Sequence, residues 1–519
     1  MYFCKSGKGC AQMLANLLDG FSVIFSVEAL LMIALGAFLG IVGGAVPGIS
    51  SASSVALVLP FTFGMDPIVS IVMLAAVYSG ATYGGSITAT LLNTPGTPEA
   101  AVMTFDGYAL TKQGKAGKAL WAALIAGTIG GLLGTFLLIF ASGPLAREAL
   151  SFGPPEYFAL ALFGLTVLSL LIEGSIVKGV IACVFGLLIA TIGIDPVTGV
   201  QRMTFGMPAL FDGIKFIPAL IGLFAVSEAF ELLGNRSVPP KPAKTGIWST
   251  RLTWSELKSL TKYILAGTGI GMFVGIKPGG GATIASIISY SVAKQMSPKR
   301  EEFGKGRLEG LAAPEAADKA TVGAALIPML TLGLPASATS AVLIGAFTLH
   351  GIQPGPNLFS EHSELVYGLF ASLIVANIAV FLLGMFGIPL FTRISAVRKS
   401  TLGVSILMLT LFGAYAYESS MTDVWVAVIF GIIGYIMKRS HFPTAPLVLG
   451  LVLAPLLETS FRQSMLLSRG SFAIFIERPI SLTLLILSFI SLVLSIYWSW
   501  RTMKKQKNTH FSTEGATMS

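Results

Sequence analysis

"GAFLGIVGGAVPG", residues 36–48, and "GTGIGMFVGIKPG", residues 267–279, carry the same glycines and prolines at the same spacing. Gly36 matches Gly267, Gly40 matches Gly271, Gly44 matches Gly275, Pro47 matches Pro278 and Gly48 matches Gly279, at an offset of 231. Five such identities at fixed spacing mark an internal repeat. Downstream, "NTPGTPEAAVM" (93–103) aligns with "GLPASATSAVL" (333–343) through Pro95 and Pro335. The offset there is 240, and the charged stretch "SPKREEFGKGR" (297–307) accounts for the extra residues.

The repeat lies in a very apolar chain. Of its 519 residues 54% are hydrophobic and 11% charged, with a mean hydropathy of +0.80. Runs such as "ALLMIALGAFLGIVGGAV" (29–46) and "ISLTLLILSFISLVLSIYW" (480–498) approach or reach the roughly 20 residues that cross a bilayer at about 1.5 Å per residue. These segments are continuously apolar, whereas the strands of a membrane barrel alternate. The expected fold is an all-α polytopic membrane protein with about 10–12 transmembrane segments. The 58 glycines and 26 prolines suit membrane helices whose freed backbone groups line a cavity or meet neighbours.

Other classes fit poorly. The formal charge of +9 comes from Lys and Arg in short loops between apolar segments, the orientation pattern of membrane proteins, so no nucleic-acid partner is expected. Cys4, Cys10 and Cys183 form neither a disulfide framework nor a metal cluster, and His350, His362, His441 and His510 are dispersed. No cofactor is expected. No small-residue cleavage site follows a short apolar run at the N-terminus, so no removable signal peptide is read.

Loop charge orients the two copies. Loop 111–118 carries Lys112, Lys115 and Lys118, while its counterpart 351–363 has no Lys or Arg. Conversely, 294–307 carries Lys294, Lys299, Arg300, Lys305 and Arg307, and its counterpart around Gly64–Pro67 has none. With basic loops cytoplasmic, equivalent loops face opposite sides and the repeats are inverted. Helices near 118–142, 156–173, 175–193 and 208–233 then bring the basic linker beginning "NRSVPPKPAK" to the cytoplasm. Helices near 364–392, 400–417, 421–437, 442–458 and 480–500 put Arg393, Arg398, Lys399, Lys438, Arg439 and the tail "RTMKKQK" inside, and "ESSMTD" outside. The chain thus divides into an N-terminal segment (1–26), a first repeat (27–233), a cytoplasmic linker (234–262), a second repeat (263–460), a last loop and helix (461–500) and a cytoplasmic tail (501–519). The N-terminal segment falls outside the membrane despite Lys5 and Lys8.

Inverted repeats broken at corresponding points, as re-entrant or discontinuous helices, mark secondary transporters with a site near the midplane. Helix starts are expected after "AVPGISS", "TPGTP", "IKPGGGAT" and "LGLPAS". Each offers free N–H groups and about half a positive charge, a receiver for a carboxylate. Thr97 suits a cap, Pro98 a first turn and Glu99 the dipole end. The candidate substrate-binding residues are Pro47, Gly48, Ser50, Ser51, Asn93, Thr94, Pro95, Gly96, Thr97, Pro278, Gly279, Gly280, Gly281, Thr283, Pro335, Ala336 and Ser337. No catalytic or metal-binding residue is assigned. Close packing and kinking also account for the Gly-x3-Gly stretches. Glu99 reads as a helix-end charge, Asp106 as an open choice that includes a "DGY" turn, and Asp318 beside Lys319 as an ion pair. Asp66, Glu173, Asp212, Glu228, Glu231 and Glu315 mostly sit near expected helix ends, where solvation suffices. Any carboxylate truly inside the membrane, at a cost of about 2.5–3.5 kcal/mol, would be a proton or cation candidate.

The motifs "GAVPG…LPFTFGMDP", "YSGATYGGSITATLLNTPGTP", "FGPPEYFAL", "GLLIATIGIDPVTGVQRMTFG", "GIKPGGGATIASIISYSVAK", "FGKGRLEG…APEAADKA" and "HGIQPGPNLF" resemble the large membrane subunit of the tripartite tricarboxylate transporters, over about residues 27–460. The resemblance implies carboxylate uptake across the bacterial inner membrane. It also implies a periplasmic solute-binding protein, a small membrane subunit and an ion gradient. Two positions depart from it: Pro335-Ala336 stands where the family usually has Pro-Gly, and Asp318-Lys319 where it has paired asparagines.

Energetics favours coupling. Importing a trivalent anion against 100 mV, inside negative, costs about 7 kcal/mol, so Na⁺ or H⁺ co-transport is expected. The alternatives are an ion-coupled permease or channel for another small anion working without a binding protein, and a membrane-embedded enzyme. The chain shows no His, Asp or Arg cluster suited to the latter.

Overall fold

The computed structural model describes residues 7–171, 176–195, 198–234, 252–277, 281–394 and 398–493. Most of the basic linker, the tail, Glu173 and three candidate site residues, Pro278, Gly279 and Gly280, lie outside the described residues. In chain order the helices are α1 (Gly7–Ile24), α2 (Val27–Gly44), α3 (Ser51–Val58), α4 (Pro67–Leu92), α5 (Met103–Lys112) and α6 (Ala116–Ala149). They continue with α7 (Pro154–Leu171), α8 (Ile176–Ala190), α9 (Phe216–Leu220), α10 (Ser227–Gly234), α11 (Trp254–Gly275), α12 (Gly281–Met296), α13 (Glu309–Leu332) and α14 (Ala338–Leu349). The last are α15 (Leu358–Glu361), α16 (Ser363–Ile394), α17 (Lys399–Glu418), α18 (Met421–Arg439), α19 (Thr444–Leu467) and α20 (Ile474–Glu477), then α21 (Pro479–Val493). A two-residue antiparallel ribbon, β1 (Gly193–Ile194) with β2 (Gln201–Arg202), is the sheet among the described residues.

Among the described residues eight helices are long and apolar enough to cross a membrane, and five shorter apolar helices accompany them. The protein is an all-α, multi-pass membrane protein. Two elements differ from the sequence reading. The N-terminal segment forms α1, whose Gly20 packs on the backbone of Tyr367 in α16. The helix expected from 208 begins at Phe216, after a 3-10 turn at Pro208–Leu210, and the chain before it is tied to β1 by the Ile194 N–H, which donates to the Phe211 carbonyl at 2.9 Å.

The chain forms two compact units, and each draws on both halves of the sequence: residues 1–150 with 215–435, and residues 151–214 with 436–519. In the second unit α19 packs on α7 and α8. Gly186 rests on the carbonyl of Leu447 and Gly450 on that of Cys183. Asp195 is clamped by Arg462 through two bonds of 3.0 and 2.7 Å, while Arg202 bonds Glu458 at 2.7 Å.

The first unit is built on two glycine seams. On α2, a Cβ at Gly36, Gly40 or Gly44 would lie 2.4, 2.2 or 2.0 Å from the carbonyl oxygens of Met73, Val77 and Ala81 on α4. On α11, Gly267 and Gly271 press equally on Ala313 and Ala317 of α13, and Gly275 on Thr321. Apolar side chains gain little by leaving lipid for a neighbouring helix, so backbones brought this close supply the dispersion contacts that hold the pairs together. Met73, Val77 and Ala81 precede Ala313, Ala317 and Thr321 by 240 residues, the offset of Pro95 to Pro335. The glycines keep the offset of 231. The long helices also exchange partners, α6 packing on α13 and α16 on α4.

The ends of α4 locate the loops. Near its last turn the Thr111 hydroxyl donates to the Thr90 carbonyl at 2.8 Å, and near its first turn His350 meets the Ser70 hydroxyl at 2.8 Å. Twenty helical residues separate these contacts, about 30 Å and so about one hydrocarbon thickness. The two basic loops meet each other at the Thr90 end, where the Gln113 amide donates to the Lys305 carbonyl at 2.7 Å. Lys118 bonds Glu256 there, also at 2.7 Å. Burial raises the Glu256 carboxyl, but Lys118 and Thr253 outweigh it and hold it at about 2.

Candidate functional site

In the first copy α2 stops at Gly44, the buried Pro47 turns the chain, and Gly48 takes φ +102°. Ser50 caps α3, accepting from the Ser53 N–H at 3.1 Å, and Ser51 opens that helix. The second break of this copy begins where α4 ends, at Asn93 with φ 54°. Asn is one of the few side-chain-bearing residues that tolerate this left-handed conformation. The Thr94 hydroxyl donates to the Leu92 carbonyl, and Pro95 leads into the buried Gly96.

The two breaks are bonded together. The Gly48 N–H donates to the Gly96 carbonyl at 3.1 Å, and the Gly96 N–H to the Gly85 carbonyl at 3.3 Å. A Cβ on Gly96 would fall 1.9 Å from the Gly44 oxygen, so only glycine fits between the strands of chain. Beyond it Thr97 occupies the cap position but makes no capping bond, and Pro98 opens a single 3-10 turn, Pro98–Ala100, ahead of α5. The expected α-helix start at "TPGTP" is thus a tight turn.

The second copy repeats this backbone with different chemistry. Gly333, 240 residues after Asn93, ends α13 at φ 69°. The buried Pro335 and Ala336 follow, and Ser337 closes a capping box with Ser340 on α14. Gly281, φ +56°, opens α12 with the half-buried Thr283 in its first turn. The four broken segments pack in pairs, α3 against α14 and α12 against the Pro98–Ala100 turn, and Ser51 of α3 bonds Glu99 of that turn.

Several carboxylates behave differently from the sequence reading. Glu99 ends no α-helix: it is buried in the 3-10 turn and accepts from the Ser51 hydroxyl. Asp106 is no turn residue. It lies buried within α5 and accepts the N–H groups of Gly304, Gly306 and Arg307 and the Tyr290 hydroxyl, so it braces the charged loop. Asp318 and Lys319 form no ion pair: the Lys319 ammonium bonds the carbonyl and hydroxyl of Ser79. Glu315, also fully buried, accepts from Ser86, and Glu228 lies buried with an oxygen 3.1 Å from where a Gly48 Cβ would be. Asp66, Asp212 and Glu231 remain exposed, as solvated helix-end charges should.

Sequence reasoning also passed over Tyr78, Ser79 and Ser86 on α4. The Tyr78 hydroxyl faces Ser337, with Glu99 and Asp318 within electrostatic reach. It passed over a π turn at Ile221–Val226 too, where the Ser53 hydroxyl donates to the Phe224 carbonyl at 3.3 Å. The available signal was "EAADK" in mid-helix, three charges among alanines where solvent cannot reach.

The model of the tripartite tricarboxylate transporter TctA family matches residues 30–449. The chain belongs to this family. It is similar to an uncharacterized 52.8 kDa protein in the TAR-I ttuC' 3' region of Agrobacterium vitis, 37% identical over 492 residues, covering 95% of this chain and 98% of that one. It is also 37% identical over 236 residues to an uncharacterized protein in the TAR-II ttuC' 3' region of the same organism, covering 46% of this chain and 98% of the relative. No solved structure matches it significantly. The two pairs set apart in the sequence reading, Pro335-Ala336 and Asp318-Lys319, lie at the second break and on α13, the helix that ends there. Ala336 has room for its methyl group where Gly96 has none, and Asp318-Lys319 sits in the buried heart of α13.

Proposed function

We propose that this TctA-family protein is the large permease subunit of a binding-protein-dependent secondary transporter. It imports a tricarboxylate such as citrate, or a related organic acid, across the bacterial inner membrane on a Na⁺ or H⁺ gradient. The carrying observation is the convergence of broken segments from both copies at one place, with Gly48 bonded to Gly96 and α3 packed on α14. The helix starts at Ser50 and Ser337 receive a substrate carboxylate without a buried Arg. The inverted arrangement is part of this reading. It is supported by the meeting of the basic loops at one end of α4 and the contact of His350 with Ser70 at the other. Alternating access then follows as one copy rocks against the other on the glycine seams.

The test is uptake of labelled citrate and smaller carboxylates into proteoliposomes containing this chain, a small membrane subunit and a solute-binding protein, under imposed Na⁺ or pH gradients. Gradient-driven uptake that needs the binding protein is expected. Uptake indifferent to both gradients would refute the coupled mechanism, and uptake without the binding protein would favour a simpler anion permease.

A further inference from the structure

Charge is out of balance beside the breaks. Glu99, Glu315 and Asp318 are 8%, 0% and 0% exposed, and Lys319, at 1%, is the only fully buried Lys or Arg among the described residues. Glu99 has the Ser51 hydroxyl and Glu315 has Ser86, while Lys319 is held by Ser79. Neither oxygen of Asp318 has a hydrogen-bond partner. A carboxylate with no donor, out of water and within reach of two other carboxylates, is a strongly disfavoured anion.

Among the described residues the elements around it offer no other buried cation. α4 contributes Tyr78, within reach of Glu99 and Asp318, and Tyr83, within reach of Glu315. α6 and α11 present the glycines 130, 134, 267 and 271 and the neutral Thr268. α12 presents Ser286, its Tyr290 being turned to Asp106, and Asp106 of α5 is committed to the loop amides. Beyond Gly48 lies Glu228, a further acid. Among the described residues no three His, Cys, Asp or Glu side chains converge to hold a metal ion.

We propose that Asp318 carries one of the coupling protons, so that this protein is a proton–carboxylate symporter. The inference rests on the transport reading above. A proton from the outer aqueous phase binds an Asp318 oxygen as the substrate anion settles at the helix starts, and both are given to water on the inner side. The anion adds negative charge beside Asp318 and Glu99, which strengthens proton binding, and the bound proton removes the repulsion that would otherwise expel the anion. That mutual dependence is the coupling. Lys319 opposes it: as a nearby positive charge it eases proton release.

Infrared spectra of the purified full-length protein in lipid nanodiscs, recorded through the neutral pH range in choline chloride and then in sodium chloride, test this. A protonated-carboxyl C=O band is expected at neutral pH. The component due to Asp318 should be lost in Asp318→Asn, leaving any from the buried Glu99, Glu228 and Glu315, kept in Glu364→Gln on the exposed start of α16, and unchanged when Na⁺ replaces choline. Lys319→Met should move its disappearance to higher pH, a readout that survives if Asp318→Asn does not fold. A band whose intensity Asp318→Asn leaves unchanged, or an Asp318 component that Na⁺ abolishes, overturns the assignment. Uptake driven by a Na⁺ gradient alone at matched pH also overturns it but leaves transport standing. An Asp318-dependent band in a fully assembled system that takes up no carboxylate under any gradient overturns the transport reading instead.

Discussion

The break at Asn93–Glu99 and the break at Gly333–Thr339 follow the same backbone course and hold different chemistry. Both begin at a left-handed residue and turn through a proline. After that the first runs through a glycine with no room for a methyl group, an idle Thr97 and a buried acid, while the second has an alanine and a neutral capping box. Backbone course follows from where a helix must stop, which a few Gly, Asn and Pro positions dictate. Chemistry depends on what each copy then meets. At these two breaks the first copy carries the charge and the second supplies the well-capped helix.

The strongest way to break the comparison is at the glycine. Gly96→Val should clash with the Gly44 carbonyl and, at about 3 kcal/mol or more for a forced overpacking, leave little folded protein by detergent-solubilised thermal unfolding. Ala336→Gly should cost less than about 1 kcal/mol, chiefly backbone entropy. Equal losses would mean that the two breaks are equally tight. At the left-handed positions Asn93→Gly should be nearly neutral, whereas Asn93→Val and Gly333→Val should each cost about 1–2 kcal/mol, read in the same assay.

The caps sharpen the contrast. Ser337→Ala removes a working cap and should cost about 1 kcal/mol. Thr97→Ala removes no capping bond and should leave the melting temperature unchanged. A small effect is also expected at the basic-loop end, where Glu256→Gln should cost less than about 1 kcal/mol. The Glu256 carboxyl is held below its ordinary value, so its contribution is complete above that value and fades as the pH falls towards about 2. Wild type and Glu256→Gln should therefore differ at neutral pH and converge in acid, in a pH series of unfolding midpoints.

The glycine and proline pattern and the hydropathy made much of this fold legible before any coordinates. Gly36, Gly40 and Gly44 do what small residues in membranes do, and the charged stretch at 297–307 does lengthen the second copy. The acids were harder. Glu99 and Asp106 stand in one short peptide, both polar, both near proline or glycine, and sequence pattern did not tell an acid buried at a break from a brace for a loop 200 residues away. Only tertiary contacts assign Ser51 to the first and the Gly304–Arg307 amides to the second. The pairing of Asp318 with Lys319 failed for a simpler reason. Adjacent residues on a helix point about 100° apart, so Lys319 reached Ser79.

Ser79 and Lys319 are themselves equivalent positions, 240 residues apart, as are Tyr78 and Asp318, and each touches or lies within reach of its own counterpart. Were two identical chains to assemble in this way, a lysine at that place would face a lysine and an aspartate an aspartate, with nothing to hold either. Joining the copies in one polypeptide frees the two sides to differ. Lysine can then meet serine and aspartate can meet tyrosine, so the duplication lets like charges avoid each other at the point where the copies meet.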